Sequence, residues 1–139
     1  MKHLALDTSC LVALVSAWHE HHDRVIRAVT SKRAAVLLVV AHTLVESYSV
    51  LTRLPARHRL APADALAVLR SNFSDKRVLP LTNVWQFLGQ SVDDGVAGGH
   101  IYDALIAWSA AQATPVTLLT LNPRHFADLD VPGLTVEEP

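Results

Sequence analysis

The sequence has little cysteine and no long apolar run. Cys10 is the only cysteine among 139 residues, which excludes an internal disulfide framework and a zinc site built on cysteines. A lone thiol is compatible with a reducing cytosol, where we expect the protein to reside. No apolar stretch reaches the ~18 residues of a membrane span. The length and the 50% content of hydrophobic residues match one domain over residues 1–139, with no room for a second.

A strong net charge is missing as well. The formal net charge is -1, because 13 acidic residues nearly balance 12 Lys and Arg. A nucleic-acid partner would therefore be held by a local basic patch, since the overall field attracts no polyanion. Charge alone neither supports nor excludes RNA as a partner.

The acids that are present follow an uneven distribution. Three long stretches with almost no charge hold one acid each, and these acids are Asp7, Glu46 and Asp103. An ionised carboxylate without a partner in an apolar setting costs several kcal/mol, on the order of the stability of a small domain. If the three segments fold together, one hard divalent metal ion can satisfy all three acids.

Each of these acids also has an ordinary structural role open to it. Asp7 can cap a helix, Glu46 can be a solvated helix residue, and Asp103 can interact with a helix macrodipole. Three isolated acids at the ends or inner faces of core elements nevertheless favour a shared metal site.

Strands alternate with helices along the chain, which predicts an α/β fold with a central parallel sheet flanked by helices on both faces. The predicted strands are 3–6, 35–40, 77–80 and 116–121. The predicted helices are 11–17 with Thr8 and Ser9 as caps, 20–31, 43–54, 62–72, 82–92 with Thr82 as cap, and 100–113. Ligands of such sheets bind at the carboxyl ends of the strands, where Asp7 and Asn122 should lie close together.

The sequence lacks residues that other classes of α/β protein need for their function. A phosphatase of the haloacid dehalogenase type needs a second Asp two residues after the first, where this chain has Ser9. A response-regulator receiver needs an acidic pair after the first strand and a Lys after the last, and neither is present. The glycines at 95, 98 and 99 follow no predicted strand and form no G-x-G-x-x-G, so they indicate a flexible loop.

Four segments of the sequence resemble, in the right order and over nearly the whole chain, the four motif blocks of the PIN domain. They are 6–9 (LDTS), 44–55 (LVESYSVLTRLP), 101–107 (IYDALIA) and 119–126 (LTLNPRHF). The nearest resemblance is to toxins of the VapBC toxin–antitoxin systems. It implies a PIN-like fold and a metal-dependent endoribonuclease with Mg²⁺ or Mn²⁺ as cofactor. It also implies RNA as substrate, a cognate VapB-type antitoxin as partner, and a homodimer.

The resemblance also assigns roles to individual residues. Asp7, Glu46 and Asp103 match the three acidic positions of the metal site. Thr8 and Thr120 match positions where a hydroxyl supports that site.

Asn122 is the one departure from the PIN pattern, because many PIN domains have a fourth acid there. Its amide still offers a carbonyl oxygen, but the site loses one negative charge, which favours one firmly held metal over two. Asn122 is either a turn residue before Pro123 or a group that orients water or metal. If the acids serve only the fold or partner docking, the chain is a catalytically silent PIN-like module that binds RNA or protein.

The basic residues give weaker predictions. Arg53 lies seven residues, about two helical turns, from Glu46, and Arg124 follows Asn122 closely, so we expect these two arginines to contact phosphate. The remaining basic residues are interpreted as solvated surface, and they include Arg57, His58, Arg59, Lys32, Arg33, Lys76 and Arg77.

The histidine-rich segment from His19 to Asp23 suggests zinc, but H-E-x-x-H is absent and only His19 and Asp23 have i, i+4 spacing. A solvated helix start is the favoured interpretation. Histidine pairs could also support a metal-free ribonuclease by acid–base catalysis.

Overall fold

A five-stranded parallel sheet forms the centre of the molecule, with strand order β3-β2-β1-β4-β5. The structure is a computed structural model that describes residues 2–31 and 35–139. The strands are β1 (Lys2–Leu6), β2 (Ala35–Val40), β3 (Val78–Leu79), β4 (Val116–Leu119) and β5 (Leu134–Glu137). The predicted α/β class with a parallel sheet is confirmed.

The helices fill the connections between these strands. They are α1 (Thr8–Val15), α2 (His22–Ser31), α3 (Ala41–Thr52), α4 (Pro62–Asn72), α5 (Val84–Asp93) and α6 (His100–Ala110). Short 3-10 turns cover Asp75–Arg77, Ala111–Ala113 and Pro123–Phe126. Helix α4 has its predicted bounds because Pro62 opens it, as proline's fixed φ suits the first helical turn.

The core lies on both faces of β1. Leu4 and Leu6 pack on one face with Leu11 of α1, whereas Ala5 packs on the other face with Ile106 of α6. This division follows from the alternation of side chains along a strand. All three strand residues are buried, as expected for the middle strand of a parallel sheet covered on both sides. The carboxyl end of β1 is therefore held rigidly between two layers of helices.

Two predicted helix caps are wrong. Asp7, not Thr8 or Ser9, caps α1, because its Oδ1 accepts the backbone N–H of Cys10 at 2.9 Å and the helix already begins at Thr8. Asn83, not Thr82, precedes α5, with φ of 55° in the left-handed region that Asn tolerates better than most residues.

Other boundaries shift because sequence patterns mark helix ends poorly. Helix α2 begins at His22 rather than residue 20, and α3 begins at Ala41, directly after β2. Helix α6 ends at Ala110, after which the predicted last turn is 3-10. Strand β4 ends at Leu119 rather than at residue 121.

Strand β5 was absent from the sequence prediction. Its four residues pair in parallel with β4 and alternate half-buried with exposed side chains. So short an alternating run gives a weak signal until β4 supplies its hydrogen bonds.

Lys32 and Arg33, predicted as solvated surface, lie outside the described residues. Within the described ranges, none of the helices combines the length and apolar character needed to cross a membrane.

Candidate active site

The candidate site begins where the neighbouring strands β1 and β4 end. Leu6 pairs with Leu119, and the backbone N–H of Asp7 donates to the Leu119 carbonyl at 3.0 Å. The next residue after this carbonyl is Thr120, whose Oγ1 donates to Asp7 Oδ2 at 2.5 Å. Strand pairing thus joins two residues that are 113 positions apart in sequence.

Asp7 is buried, with only 6% of its surface exposed. Besides Cys10 N–H, its Oδ1 accepts the Ser9 hydroxyl at 2.6 Å. Burial raises the pKa of Asp7, and the charge of Glu46 adds to this effect, although the bonds from Ser9, Thr120 and Cys10 oppose it. The carboxylate is thus held in place by neutral donors, and it forms no ion pair with a Lys or Arg of residues 2–31 and 35–139. This setting favours a bound positive ion.

Two hydroxyls connect the ends of β1 and β4. Ser9 donates to Asp7 and accepts the backbone N–H of Leu121 at 3.0 Å. Thr120 donates to Asp7 and accepts the backbone N–H of Asn122 at 2.9 Å. Asp7 and Asn122 are therefore positioned by one shared network.

A cavity of about 890 Å³ opens at this end of the sheet. Its wall includes all four residues predicted as catalytic, namely Asp7, Glu46, Asp103 and Asn122. Thr8 also lines the cavity, and its buried Oγ1 has no hydrogen-bond partner among the described residues. Thr120 stays behind Asp7, fully buried.

Glu46 reaches the cavity from α3. Its Oε2 lies 3.0 Å from Nε2 of His42, one helical turn earlier. The ring of His42 stacks on Tyr102 of α6, with centroids 5.2 Å apart and planes inclined by 5°. Side chains from two helices thus meet at the cavity wall.

Asp103 reaches the cavity from the first turn of α6, where the helix macrodipole favours an acid. Its Oδ2 lies 3.1 Å from His100 Nδ1, and His100 Nε2 lies 3.0 Å from Asp128 Oδ1. Burial acts to lower the pKa of His100, but its bonds to Asp103 and Asp128 and their charges outweigh burial and raise this pKa. His100 therefore bridges two carboxylates, and it offsets their charge when it is protonated.

Residues 4–132 match the PIN domain family. The chain belongs to this family. Ribonuclease VapC40 of Mycobacterium tuberculosis is 38% identical to it over 122 residues, which cover 87% of each protein. The chain is therefore similar to the VapC ribonucleases within the PIN family.

Solved structures show the same fold. Mycobacterium tuberculosis VapC20, described as a sarcin–ricin loop cleaving toxin, has a TM-score of 0.68 and 21% identity, covering 92% of this chain and 96% of that one. DNA-bound VapBC from Salmonella typhimurium has a TM-score of 0.65 and 24% identity, covering 99% and 98% of the respective chains.

The cavity of this PIN domain is lined by no Lys or Arg among the residues that the structure describes. Its basic groups are His19, His21, His42 and His125. Burial, followed by the charge of His21, lowers the pKa of His19. His19 Nδ1 accepts the backbone N–H of His21 at 3.0 Å, which requires the nitrogen to be unprotonated.

Arg53 and Arg124 do not line the cavity of the PIN domain. Arg53 is the exposed residue that ends α3, and Arg124 is exposed in the 3-10 turn after Asn122. Their contact with RNA phosphate stays a prediction.

Sequence reasoning missed several residues of the site. Ser9, which the sequence suggested only as a helix cap, donates its hydroxyl to Asp7. His42 and Tyr102 could have been found, because they lie one helical turn before Glu46 and directly before Asp103. His100 and Asp128 are 28 residues apart, and only folding pairs them. Glu20, interpreted as solvated, is exposed but also lines the cavity.

The acids of the PIN domain surround the cavity rather than forming a tight cage. Over residues 2–31 and 35–139, no three His, Cys, Asp or Glu side chains are grouped closely enough for a preformed metal cluster. Mg²⁺ commonly keeps several waters and takes only one or two carboxylates directly, so widely placed acids suit it.

Proposed function

We propose that this PIN domain is a metal-dependent endoribonuclease toxin of the VapC type. The observation that carries the proposal is the convergence of three carboxylates and Asn122 on one cavity without a described Lys or Arg in its wall. The similarity to VapC40, named a ribonuclease, supports RNA as the substrate.

The donor set fits a hard divalent ion. Asp7, Glu46 and Asp103 would hold Mg²⁺ or Mn²⁺, with Asn122 able to add a carbonyl oxygen. Thr8 lines the cavity, and its buried hydroxyl has no hydrogen-bond partner among the described residues. A bound ion would lower the pKa of a water molecule and neutralise charge on the phosphate.

The residues of the chain would orient these groups. Ser9 and the Cys10 N–H occupy both lone pairs of Asp7 Oδ1, whereas Thr120 occupies one lone pair of Oδ2. One lone pair of Oδ2 is left for a ligand. His100 contacts Asp103 through Nδ1, which lies 3.1 Å from Oδ2. Because these contacts exist before substrate binds, the acids are preorganised.

The reaction would be hydrolysis without a covalent intermediate on the protein. The oxygen of water forms a bond to phosphorus, the bond from phosphorus to the 3′ oxygen breaks, and that oxygen takes up a proton. The products carry 5′-phosphate and 3′-hydroxyl ends. Cys10 is no candidate nucleophile, because it is buried and burial raises the pKa of its thiol.

Cleavage of RNA by the purified protein tests this function. We expect cleavage with Mg²⁺ or Mn²⁺, none in excess chelator, and 5′-phosphate ends on sequencing of the fragments. A 2′,3′-cyclic phosphate formed in excess chelator would instead support acid–base catalysis by the histidines and would overturn the proposal.

The second candidate is a catalytically silent module that binds RNA or protein. Asn122 favours it, because a PIN site with one acid fewer has a weaker charge. Metal binding without any cleavage of RNA would support this candidate. Cleavage that depends on Asp7 would exclude it.

We further propose that a VapB-type antitoxin is the partner that holds the toxin inactive, as the VapBC complexes with the same fold suggest. A homodimer stays a prediction from the family. Helix α5 exposes Trp85 and Val92, 83% and 78% accessible, and this apolar surface is consistent with a further interface.

A further inference from the structure

Tyr102 presents an aromatic ring at the wall of the acid cavity. It directly precedes Asp103 in the first turn of α6 and lines the cavity together with the three acids. Its exposed fraction is 54%, although it stands among largely buried or half-buried residues of the same helix. An exposed aromatic residue alone needs no explanation, but the ring of this one is also stacked on a second ring.

The second ring is that of His42. The two rings are nearly parallel, at 5° and with centroids 5.2 Å apart, so His42 covers one face of Tyr102. Nε2 of His42 lies 3.0 Å from Oε2 of Glu46, although the geometry of this contact gives no hydrogen bond. Tyr102 keeps 54% of its surface exposed and lines the cavity, so the stacking on His42 leaves part of the ring accessible.

The charge of the cavity decides what such a face can bind. The acids repel phosphate groups, and the described residues of the wall include no Lys or Arg to compensate. Apart from the scissile phosphate, which the proposed metal ion would bind, an RNA strand gains affinity here from contacts that do not depend on its phosphates. Stacking of a base on an aromatic ring supplies it, since every base has a π-face.

Building on the function proposed above, we infer that Tyr102 forms a subsite that stacks one unpaired nucleobase next to the scissile phosphate. The base would lie on the face opposite His42. Because stacking distinguishes bases weakly, the subsite would select an unpaired nucleotide rather than a particular sequence. Its contribution to affinity would be insensitive to salt, unlike phosphate contacts by Arg53 or Arg124.

Base stacking can be measured directly in the Asp7→Asn protein, which should bind RNA without cleaving it. The probes are single-stranded RNA oligonucleotides that carry the fluorescent base 2-aminopurine at successive positions. We expect binding to quench one or two adjacent positions and Tyr102→Leu to remove this quenching. Affinity should fall on the order of 10-fold, with the same slope against salt. Tyr102→Phe, which keeps the ring, should retain quenching and affinity.

Tyr48→Leu is the matched control, because Tyr48 is a partly exposed tyrosine on α3 that does not line the cavity. It should leave quenching and affinity unchanged. An equal loss in Tyr48→Leu, or full quenching in Tyr102→Leu, would overturn the subsite. If Tyr102→Phe behaves like Tyr102→Leu, the hydroxyl and not the ring is responsible, and the stacking proposal fails.

Cleavage assays separate this subsite from the proposed function. An abasic nucleotide beside the cleaved bond should raise KM about as much as Tyr102→Leu, and the two changes together should cost no more than either one. If the unaltered protein cleaves no RNA while Tyr102-dependent quenching persists, the ribonuclease proposal fails and the base subsite stands. If cleavage occurs but the effects of the abasic nucleotide and of Tyr102→Leu on KM are fully additive, the subsite proposal fails and the ribonuclease proposal stands.

Discussion

Asp7 and Asp103 face the same cavity, but the chain supports their charges in different ways. Asp7 lies at the end of the central strand, is almost fully buried, and is bound by two hydroxyls and a backbone N–H. Asp103 lies on a helix, is about a quarter exposed, and contacts His100, which Asp128 holds in turn. The sheet thus holds Asp7 rigidly with neutral donors, whereas the helix places Asp103 beside a histidine that compensates its charge when protonated.

The largest effect is expected from Asp7→Asn, which removes the charge of the rigidly held carboxylate at the end of β1. RNA cleavage should fall more than about 100-fold, because a charged ligand of the ion is lost. Thermal unfolding should stay unchanged or shift upward, since a buried charge with a raised pKa, repelled by Glu46, is removed. Asp64→Asn, at an exposed position in the first turn of α4, is the matched control. It should leave cleavage unchanged and lower stability by no more than about 1 kcal/mol, through the lost interaction with the helix macrodipole. Loss of the fold in Asp7→Asn would instead favour a purely structural acid.

Loss of the contacts between His100 and its two carboxylates should weaken metal binding less severely. In Asp128→Asn or His100→Gln, Asp103 loses its fixed partner, and Mn²⁺ affinity should drop about 10- to 100-fold. Electron paramagnetic resonance of free Mn²⁺ measures this without reference to activity. Asp130→Asn, another exposed acid of the same loop, serves as control. Unchanged affinity in both variants would show that His100 does not position Asp103.

Thr120→Val removes a neutral donor while keeping the shape of a fully buried side chain. One oxygen of Asp7 and the backbone N–H of Asn122 then lose their partner. The free energy of unfolding should fall by about 1 to 3 kcal/mol, as is usual for a buried polar group left unsatisfied. Chemical denaturation measures this loss, with Thr52→Val at the half-buried end of α3 as control. A loss no larger than that of the control would contradict the role of Thr120.

The smallest effect concerns the histidines of the wall. Because the pKa of His19 is lowered from its ordinary value of 6.5, protonation favours the unfolded chain, and stability should fall as the pH drops through 6.5 toward the folded pKa. His19→Gln should reduce this acid-induced loss, measured relative to the variant's own stability at pH 8, where it also lacks the ring acceptor of the His21 N–H. Denaturation curves at both pH values test it. The same loss in both proteins would assign the acid sensitivity to other groups.

Much of the candidate site was predictable because an acid within a charge-poor stretch is easily recognised in the sequence. Asp7, Glu46, Asp103 and Asn122 were selected from charge-poor stretches and motif blocks, and all four line one cavity. Their roles at the metal stay predictions. The α/β class followed from alternating apolar segments, which reflect burial on both sides of the sheet.

The contacts that support the acids were not predictable, because each depends on an approach between distant segments. Thr120 meets Asp7 across 113 residues, and His100 meets Asp128 across 28. The same limit applies to the arginines, since proximity in sequence suggested that Arg53 and Arg124 lie at the site, while the fold leaves both outside the cavity.

Composition and local pattern were thus sufficient for the type of fold and the identity of the acids. The reason is that the apolar or charged character of each residue can be read from the sequence without knowing its partners. Whether a carboxylate is compensated, by a hydroxyl, a histidine or an ion, was settled by folding. Hydrogen bonds and Coulomb interactions act over a few ångströms, and only the packed strands and helices bring their partners within that range.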